Sequence, residues 1–96
     1  MPAVCRGDLV DEDAFHCQIP RRLERSPDVF VNSIGISRQG DNNNSHAGPL
    51  CLPHQAPIAT GSPTVFINDK GCGRIGDSVS GCTSVATGSP NVFCGP

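Results

Sequence analysis

The sequence predicts an all-β, loop-rich fold in which three short hairpin units close into a pseudo-threefold ring. Three observations predict it. A sixteen-residue segment occurs twice without a gap, and a third copy is divided between the two ends of the chain. Each copy begins with a short β-branched and aromatic run that turn residues follow at once. The remaining composition suits neither long helices nor a large core. It is 36% hydrophobic, with four Phe, no Trp or Tyr, eleven Gly and nine Pro among 96 residues.

The repeat carries most of the argument, because self-similarity decides architecture before any local propensity does. Residues 26–41, SPDVFVNSIGISRQGD, and 62–77, SPTVFINDKGCGRIGD, agree at nine of sixteen positions. A third Ser-Pro-x-Val-Phe opens at Ser89, and the sequence stops at Pro96, in the register of Asp69. Met1 then takes the place of Lys70, and Gly7-Asp8 falls on Gly76-Asp77. A closed ring of three needs its last unit completed in this way, whereas an open solenoid does not. The N- and C-termini are expected to be neighbours.

Within each unit, Val-Phe-Ile/Val reads as a strand, and Asn-Ser-Ile-Gly or Asn-Asp-Lys-Gly as the hairpin turn, since Asn and Gly tolerate positive φ. The residues up to Arg-x-Gly-Asp form the return strand. A lone hairpin of this size is not stable, so the three must pack together, with Phe30, Phe66 and Phe93 as a minimal core. The connecting segments are unequal: 9–25, 42–61 and 78–88. Pro20, Pro49, Pro53 and Pro57 argue against helix there. The 96 residues form one domain that buries roughly 60–65% of its unfolded surface, so something besides a core should hold it.

Charge excludes some functions. The formal net charge is −2, and no basic run is interleaved with aromatics, so no nucleic-acid surface is expected. Asp11-Glu12-Asp13 and Arg21, Arg22 and Arg25 read as a solvated loop. No apolar stretch is long enough for a membrane span, and the first residues lack the basic and apolar regions of a signal peptide. A chain made in the cytosol is expected. Its six cysteines therefore read as thiols or metal ligands in preference to a disulfide framework.

All three histidines lie in the unequal loops. His46 follows Asp41 by five residues and Cys82 follows Asp77 by five, which places them at equivalent positions around the axis. His16 lies in the first loop and His54 in the second. Three imidazoles and one thiolate suit Zn²⁺, with Cys17 and Cys51 as rival ligands. Cys5, Cys72 and Cys94 fall within the hairpin units and read as small apolar fillers or free thiols. Nothing fixes a catalytic constellation, and four protein ligands leave a zinc ion no open position for water, so no enzyme and no small-molecule substrate are expected.

Gly61-Ser-Pro-Thr-Val-Phe-Ile-Asn68 and Thr87-Gly-Ser-Pro-Asn-Val-Phe93, followed in the unbroken copies by Arg-x-Gly-Asp, resemble the PAAR-repeat proteins. These cap the spike of type VI secretion systems and of contractile phage tails. The name-giving tetrapeptide is not literal here, its places holding Pro2-Ala-Val-Cys5, Gly35-Ile-Ser-Arg38 and Gly71-Cys-Gly-Arg74. The resemblance implies a sharp cone bearing one structural zinc on His16, His46, His54 and Cys82. It implies a broad base seated on a trimeric β-helical spike (VgrG-like, or a phage central spike), one cone per trimer. Val29, Phe30, Val65, Phe66, Val92 and Phe93 would make the base contact. The cone would be assembled in the cytoplasm into a tail baseplate or needle tip and would pierce the target envelope transiently. With no extension at either end, the chain would be a bare tip. Two other classes remain to be tested, a small disulfide-stapled binding domain and a zinc hydrolase.

Overall fold

The computed structural model describes residues 1–95. Among them there is no helix. Eight strands of two to four residues form four antiparallel pairs: β1 (Phe30–Val31) with β2 (Ile34–Gly35), β3 (His46–Gly48) with β4 (Cys51–His54), β5 (Phe66–Ile67) with β6 (Lys70–Gly71), and β7 (Ser78–Val79) with β8 (Thr83–Ser84). The body is elongated, 37 × 23 × 22 Å.

The two unbroken repeats fold alike. Phe30 pairs with Gly35 and Val31 with Ile34, as Phe66 pairs with Gly71 and Ile67 with Lys70. The turns are two-residue turns on Asn32-Ser33 (φ 54° and 66°) and Asn68-Asp69 (φ 53° and 66°), the twist-matched geometry that Asn favours. Gly35 and Gly71 are not turn residues. They are strand positions where the preceding chain crosses closely: a Cβ on Gly35 would stand 2.5 Å from Ser26 O, and one on Gly71 3.0 Å from Ser62 O.

Each Ser-Pro has a defined role. Ser26, Ser62 and Ser89 are buried, and each Oγ accepts the amide of the residue three positions on, at 2.9, 2.9 and 3.0 Å. Their own amides donate to Ile36 O, Cys72 O and Val4 O. The third copy is therefore built from both ends of the chain, with Ala3 bridged to Phe93 and the Cys94 amide bonded to Pro2 O. Pro96 lies outside the described residues, but a Cβ on Gly95 would stand 2.9 Å from Met1 Sδ, so the two ends are neighbours.

Backbone hydrogen bonds close the ring. Ser37 N–H donates to Cys5 O, Cys5 N–H to Gly73 O, and Gly73 N–H to Ser37 O, at 3.1, 3.0 and 3.0 Å. A second set runs from Gly7 to Gly35, Gln39 to Gly71 and Ile75 to Ala3. These bonds correct the register of the divided copy by one residue. Ala3-Val-Cys-Arg6, and not Pro2-Ala-Val-Cys5, stands where Gly35–Arg38 and Gly71–Arg74 stand. Gly7-Asp8 consequently does not match Gly76-Asp77. Arg38 clasps Asp41 and Arg74 clasps Asp77 through backbone amide and guanidinium, but Arg6 reaches past Asp8 to Asp11. Because the copy is cut at its hairpin turn, its two halves need not keep a common residue count.

Two other expectations are corrected. Phe30, Phe66 and Phe93 are not a core: they are 54, 60 and 49% exposed. In a two-residue strand only one side chain faces inward, and Val31 and its equivalents take that place. The core has two clusters. Val4, Val31, Ile36, Cys72 and Cys94 form one, flanked by Val29, Val65, Ile67 and Val92; Cys5, Ala56, Ile58, Val79 and Val85 form the other, with Cys82 against it. Burial pushes the Cys5 and Cys72 thiols far above their ordinary range, so they pack as neutral fillers. The charged first loop is also not simply solvated. Asp11, Asp13 and Arg22 are buried, and Arg22 and Asp13 pair with both side chains fully covered.

Candidate metal centre

The Cys82 side of the second cluster leads to the unequal loops, and there the histidines meet. β3 and β4 form a hairpin in which His46 faces His54 across the strands, with a register irregularity between His46 and Gly48. That pairing sets the two imidazoles edge to face, with centroids 4.1 Å apart and planes 62° from parallel. Cys82 lies in the turn joining β7 and β8, where its amide donates to Val79 O and Gly81 takes φ 64°. His16 comes from the first loop, its ring centroid 5.8 Å from that of His46 and 5.2 Å from that of His54.

One ligand atom from each of His16, His46, His54 and Cys82 lies within 4.8 Å of every other. Cys82 Sγ is 3.4 Å from His46 Nε2 and 3.7 Å from His54 Nε2. His46 and His54 each place Nδ1 2.9 Å from a carbonyl two residues earlier, Asn44 O and Leu52 O. A carbonyl only accepts, so Nδ1 carries the proton and the Nε2 lone pair faces the cluster. His46 is buried and the other three are half-buried. Desolvation, with the Asp13 carboxylate adding to it, pushes the Cys82 thiol up, and a cation at this point would reverse that preference.

The four residues that the sequence singles out are thus the four that the fold brings together, as a group able to hold a metal ion. The rival ligands are not free to compete, because Cys17 and Cys51 form a disulfide. This corrects the expectation of six thiols. The pair joins loops 34 residues apart in sequence, a proximity that spacing alone does not reveal. Cys5, Cys72, Cys82 and Cys94 are free.

The network beneath the cluster escaped the sequence reading. Arg22 donates to Asp13 at 3.0 Å and to Asp41 O, and Asn43 Nδ2 donates to Asp13 Oδ2 at 3.0 Å. Asn43 Oδ1 in turn accepts the Ala56 amide.

The model of the PAAR motif family matches residues 51–96. With the ring of three hairpin units and the His/Cys cluster, this defines the chain as a PAAR-repeat protein. Over 78 residues, 76% of its length, it is 35% identical to the NAD(P)(+) glycohydrolase toxin Tse6 of Pseudomonas aeruginosa strain PAO1. It has the same identity and coverage with the (p)ppApp synthetase toxin Tas1 of Pseudomonas aeruginosa strain UCBPP-PA14. The matched region is 18% of each of those proteins, so the chain spans less than a fifth of the curated relatives it matches.

Proposed function

We propose that this chain is a non-enzymatic tip for the spike of a type VI secretion system, a cone stiffened by one zinc ion. The ring of three backbone hydrogen bonds through Cys5, Ser37 and Gly73 carries the reading. It makes one chain imitate threefold symmetry at the end where Phe30, Phe66 and Phe93 are exposed, and a trimeric β-helical spike presents matching symmetry. Strand edges and apolar side chains at that end suit docking on the last turn of such a spike. Val29, Val65 and Val92, half-buried behind the phenylalanines, would back the contact. The likeness to two proteins named as toxins favours secretion over a phage tail.

Zinc suits the cluster because three imidazoles and one thiolate are its ordinary tetrahedral partners. His16, His46, His54 and Cys82 would hold it, and its role would be to pin three unequal loops while the tip crosses an envelope. Four protein ligands also argue against a hydrolytic role. The test is co-expression with a trimeric spike: one chain and one zinc per trimer are expected. One chain per spike monomer, or no association, would remove the reading. The disulfide-stapled binding domain is separated by the same preparation, since it requires three disulfides and no metal.

A further inference from the structure

His16 is held differently from the other two histidines. His46 and His54 lie on paired strands, and a backbone carbonyl orients each ring. Among the described residues no hydrogen-bond acceptor orients the His16 ring. Its segment is irregular, with Cys17 in a left-handed conformation at φ 69° and the His16 amide bonded to Gln18 O. What ties this segment to the rest of the site is the bond from Cys17 to Cys51, which opens β4, the strand that ends at His54. The segment crosses Gly48, the strand partner of Cys51, so closely that a Cβ there would stand 3.0 Å from Cys17 Cβ. The Ala47 amide, donating to Gln18 Oε1 at 2.9 Å, is a second tie.

We propose that the Cys17–Cys51 disulfide is a reversible staple that positions His16, so that the chain retains its metal ion tightly only when the bond is closed. The inference rests on the four-ligand site proposed above. Both sulfurs belong to half-buried residues, within reach of small reductants. Opening takes two electrons and two protons and leaves two thiols: two small thiols supply both and become a disulfide, or a phosphine supplies the electrons and becomes its oxide with the oxygen of a water whose two protons go to the sulfurs. A small-molecule disulfide reverses it, taking up the electrons and becoming two thiols itself. Opening has two consequences for His16. Its segment loses its covalent anchor, and it gains two competing ligands, since Cys17 and Cys51 sulfurs lie within 4.8 Å of its ring nitrogen. Closed, the bond withholds those sulfurs and leaves the set of three His and one Cys. Loss of a partner that orients a ligand commonly weakens metal binding about 10–100-fold.

The experiment uses the full chain loaded with cobalt(II), whose visible spectrum reports ligand type. The as-prepared protein, the protein opened by a phosphine, the C17S/C51S double variant and H16A are compared. Thiols counted in denaturant should rise on opening from the four free cysteines to all six. Transfer of cobalt to a chelator should be roughly tenfold or more faster after opening, and the spectrum should show added thiolate character. The double variant should release cobalt fast with or without phosphine and show a single thiolate. H16A should release it fast whether the bond is open or closed. Release unchanged by opening, a phosphine effect that persists in C17S/C51S, or an H16A penalty equal in both states would overturn the staple. A closed chain with four thiols that binds no cobalt would instead overturn the four-ligand site, and this inference with it.

Discussion

The hairpin end and the loop end of this molecule solve the same problem by different means. Neither has enough apolar mass to hold itself together. At the hairpin end three like segments meet, so each backbone amide finds an equivalent carbonyl on its neighbour, and the bonds through Cys5, Ser37 and Gly73 run in a circle. At the loop end the segments differ in length, and no circle of that kind is available. Unlike bonds fix the loops instead: the Cys17–Cys51 disulfide between the first and second, the buried Arg22–Asp13 pair within the first, and the cluster of His16, His46, His54 and Cys82 that all three share. In the hairpin units the side-chain bonds repeat with the symmetry, as in the Ser26, Ser62 and Ser89 hydroxyls, whereas each side-chain bond of the loop end occurs once.

The largest effect should come from the proposed metal ligands, His16, His46, His54 and Cys82. Structural zinc in small modules contributes apparent binding free energies of about 10–16 kcal/mol, comparable to or above the stability of a whole small domain. Chelation, or Cys82→Ala, is expected to lower the melting temperature and to release amide protection at the loop end first. The amides of Cys5, Ser37 and Gly73 should keep theirs longest. Uniform loss across the chain would mean that the two ends are one cooperative unit and that the contrast drawn here has no energetic counterpart.

Next comes the ion pair under the cluster. Asp13 and Arg22 have no exposed side-chain surface, and removing one partner of such a pair typically costs about 3–5 kcal/mol. Burial alone raises the Asp13 carboxyl, and Arg22 and Asn43 oppose that rise. Arg22→Ala should therefore destabilise strongly in denaturant titration. Asp13→Leu combined with Arg22→Met should recover most of the loss, because well-packed apolar replacements of buried pairs are often neutral or better. If the double variant is as weak as the single, the pair also orders Asn43 and the Asp41 carbonyl in a way that packing does not replace.

A smaller effect tests the hairpin end. Arg6 bonds Asp11 with side chains 13 and 3% exposed, whereas Asp8 meets Arg25 with 51 and 34% exposed. Asp11→Ala should cost about 1.5–3 kcal/mol, the range for hydrogen bonds to charged groups. Asp8→Ala should cost about 0–1 kcal/mol, as exposed pairs do. The reverse order would restore the register read from the sequence alone.

That register shows where the sequence was legible and where it was not. The repeat, the hairpins, the meeting of the chain ends and the equivalence of His46 and Cys82 follow from residue identities at fixed spacings, whereas His16 and His54 join them through ligand chemistry and the family resemblance. What stayed hidden depends on which side of a very short strand faces inward and on loops that meet only in three dimensions. Phe30 looks like core because aromatic residues usually are, but a two-residue strand has one inward place and Val31 fills it. Asp11 and Asp13 look like a solvated acidic run, yet both point inward, Asp11 to Arg6 of the divided hairpin unit and Asp13 to Arg22 of its own loop. Cys17 and Cys51 carry no spacing signal, and the inference that a cytosolic chain keeps its thiols reduced pointed away from their bond.

The smallest effect on stability should accompany the largest effect on assembly. Phe30, Phe66 and Phe93 are 49–60% exposed, so replacing each with Ser removes few internal contacts, and surface substitutions of this kind usually change stability by less than about 0.5 kcal/mol. Binding to a trimeric spike is another matter, since apolar side chains at the centre of an interface carry a disproportionate share of its affinity. The three positions are equivalent by register, Phe30 opposite Gly35, Phe66 opposite Gly71 and Phe93 opposite Ala3. Single replacements should therefore weaken spike binding by similar factors, and the triple replacement should abolish it in pull-down while the melting curve barely moves. One phenylalanine that dominates the other two would indicate that the spike distinguishes the divided copy from the unbroken ones. The imitation of threefold symmetry would then be structural and not functional.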